Sequence, residues 1–178
     1  MEPTFTSIVI KTAVAHTVTY VFAGLLAYTI FNYPRLFAET ELRHLMRQTS
    51  DLLVRLAPLY QPVRGIIFGI AFVILRKPFF GDSNGWLLMW ITLVCLGIIS
   101  TFGPAPGSIE GVIFTKLPLR IHLISLPEVL LQSFLLSFVV YHWVNSPEKY
   151  WLSQTMWTLF AIAVIAPLLG VLKDRKRS

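Results

Sequence analysis

Few residues in this sequence can do chemistry, and those that can lie inside or at the edges of long apolar runs. His16 falls on one helical face with Thr12, Thr19, Tyr20, Ala23 and Ala27. An imidazole so placed can carry a proton, ligate a metal or haem, or hydrogen-bond a neighbouring helix across the small alanines. Glu128, Gln132 and His142 share a second face, because fourteen residues bring an α-helix back to within about 40° of its start. Arg64 heads another apolar run, and Glu110 is the one carboxylate of the loop 104–124. Polar groups inside lipid are costly and are therefore the default candidates for function.

The chemistry these residues allow is narrow. The sequence contains no nucleophile elbow, phosphate loop, HExxH or CxxC signature. Haem ligation by His16 and His142 fails on depth. Counted from the same membrane face, one lies about eight residues in and the other about three, a mismatch of roughly 7 Å. The sequence therefore predicts no cofactor and no metal. Glu110 reads as a solvated turn carboxylate. Ser125-Leu126-Pro127-Glu128 reads as a capping box with a proline in the first helical turn, which explains Glu128 without catalysis.

The elements that must hold these groups follow from composition. Of the 178 residues 55% are hydrophobic and 13% charged, with a mean hydropathy of +0.67. A soluble domain carries about 25% charged residues, so lipid must solvate much of this surface. The net charge of +6 sits between apolar runs. It reads as a topology signal and a contact with anionic headgroups rather than as a nucleic-acid footprint. Glu2 in place of a basic leader and Lys11 inside the first apolar run argue for a retained span over a cleaved signal. Cys95 has no second cysteine to pair with.

A spanning helix needs about 20 mostly apolar residues. The predicted fold is an all-α membrane protein, one integral domain of about five transmembrane helices over 8–32, 60–80, 85–103, 126–144 and 148–172. The second is the weakest, since its uninterrupted core runs only from Gly65 to Leu75 and needs Arg64 and Arg76 to snorkel. Gly65 and Gly69 in that segment form a GxxxG packing signature. Pro167 interrupts the fifth segment, where the sequence predicts a kink.

Between the first two segments, Leu42, Leu45, Met46, Leu52, Leu53 and Leu56 recur at helical spacing opposite Arg43, Arg47, Asp51 and Arg55. That predicts an interfacial amphipathic helix over about 35–56, with i, i+4 pairs Glu39–Arg43 and Asp51–Arg55. Alternation from Leu117 to Leu123 predicts a short extended piece.

Five spans put the termini on opposite sides. Arg35, Arg43, Arg47, Arg55, Arg64, Lys116 and Arg120 then share a side with the tail Lys173, Arg175, Lys176 and Arg177, against Lys11, Arg76, Lys77 and Lys149. The positive-inside rule predicts a plasma (inner) membrane protein with its N-terminus outside and C-terminus cytoplasmic. Trp86, Trp90, Trp143, Trp151 and Trp157 all fall near the outer face and read as an aromatic belt. Arg64 and Glu128 come to matching depth and are expected to form an ion pair. The functional expectation is a non-enzymatic subunit or accessory factor of a membrane assembly, or of a homo-oligomer. Its other partners are anionic lipid headgroups at Arg43, Arg47, Arg55 and the basic tail. The alternatives are a small carrier or channel using the polar faces of the first and fourth spans and, behind it, a lipid-modifying enzyme using Glu110 or Glu128.

Overall fold

The computed structural model describes residues 3–175, with side chains through Asp174. Glu2, Lys176 and Arg177, used above for leader and tail, lie outside the described residues. The described chain is helical without strands. Four helices are long and apolar enough to cross a membrane: α1 (Phe5–Ile30), the run Ala57–Ile74, α8 (Leu119–Asn145) and α9 (Tyr150–Arg175). The run Ala57–Ile74 is a 3₁₀ turn, Ala57–Tyr60, leading into α4 (Gln61–Ile74). The protein is an all-α integral membrane protein.

α1 is the central helix. Half of its apolar window is buried, against 11% for α9. Its inner face is small: Thr12, Ala13, Ala15, Thr17, Thr19, Ala23 and Ala27 let α4, α8 and α9 all approach it. On α4, a Cβ built on Gly65 would lie 2.5 Å from the Cα of Ala13, and one on Gly69 would lie 2.8 Å from the Cα of Val9. The GxxxG is therefore the α1–α4 contact, backbone against backbone. Ile8, Phe72, Phe79, Met89, Leu136 and Val140 fill the core at one end.

Several sequence expectations change. The segment expected as one amphipathic helix over 35–56 is broken into α2 (Tyr33–Glu39), a 3₁₀ turn Glu41–His44 and α3 (Leu52–Arg55). Thr40 is extended, at φ −109° and ψ −178°, and its hydroxyl accepts the Leu42 N–H. Asp51 begins again as the N-cap of α3 by accepting from Leu53 N–H. Side chains that cap cannot also continue a helix. The ion pairs shift accordingly to Arg35–Glu39 and Arg47–Asp51. The capping contacts and Arg47 hold Asp51 below the ordinary carboxylate range, the Leu53 amide being the largest cause.

The second segment ends at Leu75, after which α5 (Arg76–Phe80) is a separate short helix. The third is α6 (Gly85–Thr92), eight residues, continued by seven π-helical residues, Leu93–Ile99. Together they reach roughly 22 Å, shorter than the ~30 Å hydrocarbon core. α7 (Ile109–Phe114) is capped by Ser108, whose Oγ accepts the Gly111 N–H. The extended piece expected at 117–123 is limited to its first residues, because α8 begins at Leu119 behind Pro118. Pro127 therefore lies inside α8 and Ser125 caps nothing; its hydroxyl donates back to the Ile121 carbonyl. The capping-box reading of Glu128 is corrected by that earlier start.

Tryptophan placement also departs from a simple belt. Trp143 is 1% exposed, packed with Val14 and Met156, and its indole N–H donates to Ser153 at 2.8 Å. Trp86 packs edge-on against Phe134 and Phe138, and Trp90 donates to the Leu130 carbonyl. Trp151 and Trp157 are exposed.

Candidate functional site

The polar residues of α1, α4 and α8 meet in one seam. Gln61, in the first turn of α4, donates from its amide nitrogen to the Ala57 carbonyl at 3.2 Å. That bond orients its carbonyl oxygen toward His16, where Nε2–H donates to it at 3.2 Å. With the proton on Nε2, His16 Nδ1 is the acceptor for the Gln132 amide at 3.5 Å. The ring is 1% exposed and the edge of Phe68 stands 5.1 Å from its centre. Both nitrogens of a neutral imidazole are thus used inside the bundle, and a metal at Nδ1 would displace Gln132.

One to two turns further along α1 the seam becomes acidic. Tyr33 donates its phenol hydroxyl to Glu128 Oε2. The other carboxylate oxygen lies 3.6 Å from where a Cβ on Gly24 would sit, so the missing side chain leaves room for it. Burial first, then the hydrogen bond and charge of Glu128, hold the Tyr33 phenol above its ordinary range. Tyr33 can turn back onto α8 because Asn32 adopts a left-handed conformation, φ 49° and ψ 62°, between α1 and α2. Asparagine tolerates that region better than most residues.

Arg64 does not pair with Glu128. Among the described residues no ion pair joins them; the guanidinium of the exposed Arg64 instead sits 5.6 Å from the centre of the Phe68 ring. Phe68, one turn along α4 from Arg64, packs its ring against His16 of α1 as well as against the guanidinium. Both charges lie within reach of Tyr20 on α1, but they do not come within ion-pair distance of each other.

The remaining candidates stand apart. His142 lies near the far end of α8, against Phe138 at 4.3 Å and Tyr141 at 5.1 Å, away from His16. Glu110 is half-buried in the first turn of α7, where a carboxylate favours the helix N-terminus. No group of three or more potential metal ligands occurs among the described residues.

Two residues escaped the sequence reading. Gln61 was assigned to a segment boundary, so its amide was not counted as a partner for His16. Lys11 donates to the Trp143 carbonyl at 2.8 Å, in the last turn of α8, where carbonyls lack helical partners. Its ammonium also lies 5.7 Å from the centre of the Trp143 ring.

Fold and seam together define a polytopic membrane bundle whose polar seam is bonded at His16, Gln61 and Gln132 and leaves the buried Thr12 hydroxyl without a partner among the described residues. No protein-family model matches the chain, and no solved structure matches it. A stretch of 53 residues is 40% identical to a protein described as MFS-type transporter oryC, from Aspergillus oryzae (strain ATCC 42149 / RIB 40). The match covers 30% of this chain and 10% of that transporter.

Proposed function

We propose that the protein is a non-enzymatic subunit or accessory factor of a membrane assembly, working through helix contacts. The carrying observation is the contrast between α1 and α9. His16, Thr17 and Thr19 of α1 find their hydrogen-bond partners within the bundle, the buried Thr12 hydroxyl being the exception, whereas α9 leaves a shallow face open, lined by Trp157, Thr158, Ala161, Ile162, Ile165, Ala166 and Leu169. Small residues within a large apolar face suit close approach of another helix in lipid. The orientation follows the charge. Arg55–Asp174 and Arg120–Glu41 hold the basic segments and the end of α9 at one end of the bundle, which makes that end cytoplasmic in the plasma membrane. Anionic lipid headgroups at that end are the proposed lipid partners of Arg43.

Crosslinking in native membranes tests this reading. A photoreactive residue at Ala161 or Ala166 is expected to capture a membrane protein or a second copy, and the same residue at Ile67 on α4 is not. Equal capture at all three positions contradicts it.

The carrier reading keeps one specific support: a half-buried carboxylate, Glu128, on a spanning helix beside α1. The partial likeness to a protein described as a transporter agrees with it. Solute uptake in proteoliposomes that is lost in Glu128→Gln would favour it over the subunit.

A further inference from the structure

A polar hollow of about 560 Å³ lies where α1, the segment 33–60 and the end of α9 meet, lined by Tyr28, Pro34, Thr49, Ser50, Arg55 and Asp174. Among the described residues its charged lining groups are Arg55 and Asp174, joined through Nη2 and Oδ2 at 2.6 Å. They leave the other guanidinium N–H groups and the second carboxylate oxygen, Oδ1, facing no partner among the described residues. The hydroxyls of Tyr28, Thr49 and Ser50 likewise take no partner among the described residues. Ile30 at the end of α1, and Leu169 and Leu172 toward the end of α9, are exposed apolar side chains.

We propose that this hollow binds the headgroup of a zwitterionic phospholipid carrying a primary ammonium, the phosphoethanolamine class. The phosphate oxygens accept from Arg55 and the three hydroxyls. The ammonium donates to the open oxygen of Asp174. The acyl chains run along Ile30, Leu169 and Leu172. The chemistry discriminates in two directions. A choline headgroup has no N–H to give Asp174, and a glycerol headgroup offers Asp174 only neutral hydroxyls in place of an ammonium, leaving lipid, Arg55 and Asp174 together with one uncompensated negative charge. The net charge of +6 would by itself favour anionic lipid; this site runs against that trend because its lining charges among the described residues, Arg55 and Asp174, cancel. The inference does not rest on the subunit reading.

The test is native mass spectrometry of the full chain in mild detergent, offered equal amounts of phosphatidylethanolamine, phosphatidylcholine and phosphatidylglycerol with identical acyl chains. Phosphatidylethanolamine is expected to be retained about tenfold over each of the others, the scale of one charge-assisted hydrogen bond. Asp174→Asn should equalise ethanolamine and choline lipids. Tyr28→Phe with Thr49→Val should lower retention of all three without changing the melting temperature, since neither hydroxyl bonds within the fold. Retention that favours phosphatidylglycerol, retention that is equal for all three, or an ethanolamine preference that survives Asp174→Asn would overturn the proposal. Soluble glycerophosphoethanolamine competing at equal concentration would also overturn it, because the site would then take the free ester and not the lipid.

Discussion

Glu128 takes its hydrogen bond from Tyr33 and not a charge from Arg64, and this is measurable in detergent-solubilised protein. A double-mutant cycle on thermal stability with Tyr33→Phe and Glu128→Gln should show coupling of about 1 kcal/mol. The cycle with Arg64→Gln and Glu128→Gln should be additive within about 0.5 kcal/mol. The reverse pattern would restore the ion pair. His16→Ala should cost about 2–4 kcal/mol, because it opens a space in the core and strands the amides of Gln61 and Gln132. A loss under about 0.5 kcal/mol would show that the seam is not formed in solution. Residue types and depth could be read from the sequence here; azimuth and reach could not. Tyr33 lies beyond the first span and reaches Glu128 only through the left-handed turn at Asn32, a conformation that asparagine permits but does not announce.

At the scale of elements, the α1–α4 crossing depends on two absent side chains. Gly65→Ala and Gly69→Ala should each lower stability by about 1–3 kcal/mol, since the added methyl meets α1 backbone that cannot rotate away. Gly97→Ala is the control: its Cβ would meet nothing within 4 Å, and no loss is expected. Equal tolerance at all three positions would place the crossing elsewhere. The GxxxG was legible because a backbone contact in an apolar helix needs glycine at that spacing. Helix ends were less legible. The leucine spacing of 42–56 is helical throughout, yet Thr40 and Asp51 spend their oxygens on caps and divide it. At α8 the opposite error arose. Pro127 and Ser125 look like a helix start, but proline at that place removes one hydrogen bond from a helix that packing against α1 and α6 sustains.

Across the whole molecule, side-chain contacts sort the loops into two ends. At one end Lys11 holds the Trp143 carbonyl, and Tyr141 donates to the carbonyl of Asp82. At the other, Arg55–Asp174 and Arg120–Glu41 tie the segment 33–60 to α9 and α8. Lys11→Met should destabilise by about 1 kcal/mol by freeing a terminal carbonyl of α8, and a neutral outcome would show that carbonyl served by other means. Four helices are long and apolar enough to cross a membrane, and α6 with its π-helical extension is shorter than these. The four long apolar helices were legible from hydropathy. The shortness of the third segment was not, because beyond Ile99 no proline or glycine marks its end before Gly103-Pro104, whereas the helix stops at Ile99, ahead of Ser100 and Thr101. The most direct test of this two-ended bundle is thiol labelling of single cysteines in a Cys95→Ser background, at Met46, Ser83, Lys116 and Glu148, with a membrane-impermeant reagent. The cysteines at 83 and 148 should react in intact cells, and those at 46 and 116 only after permeabilisation. Reaction of 46 and 83 from the same side of the membrane would contradict the arrangement.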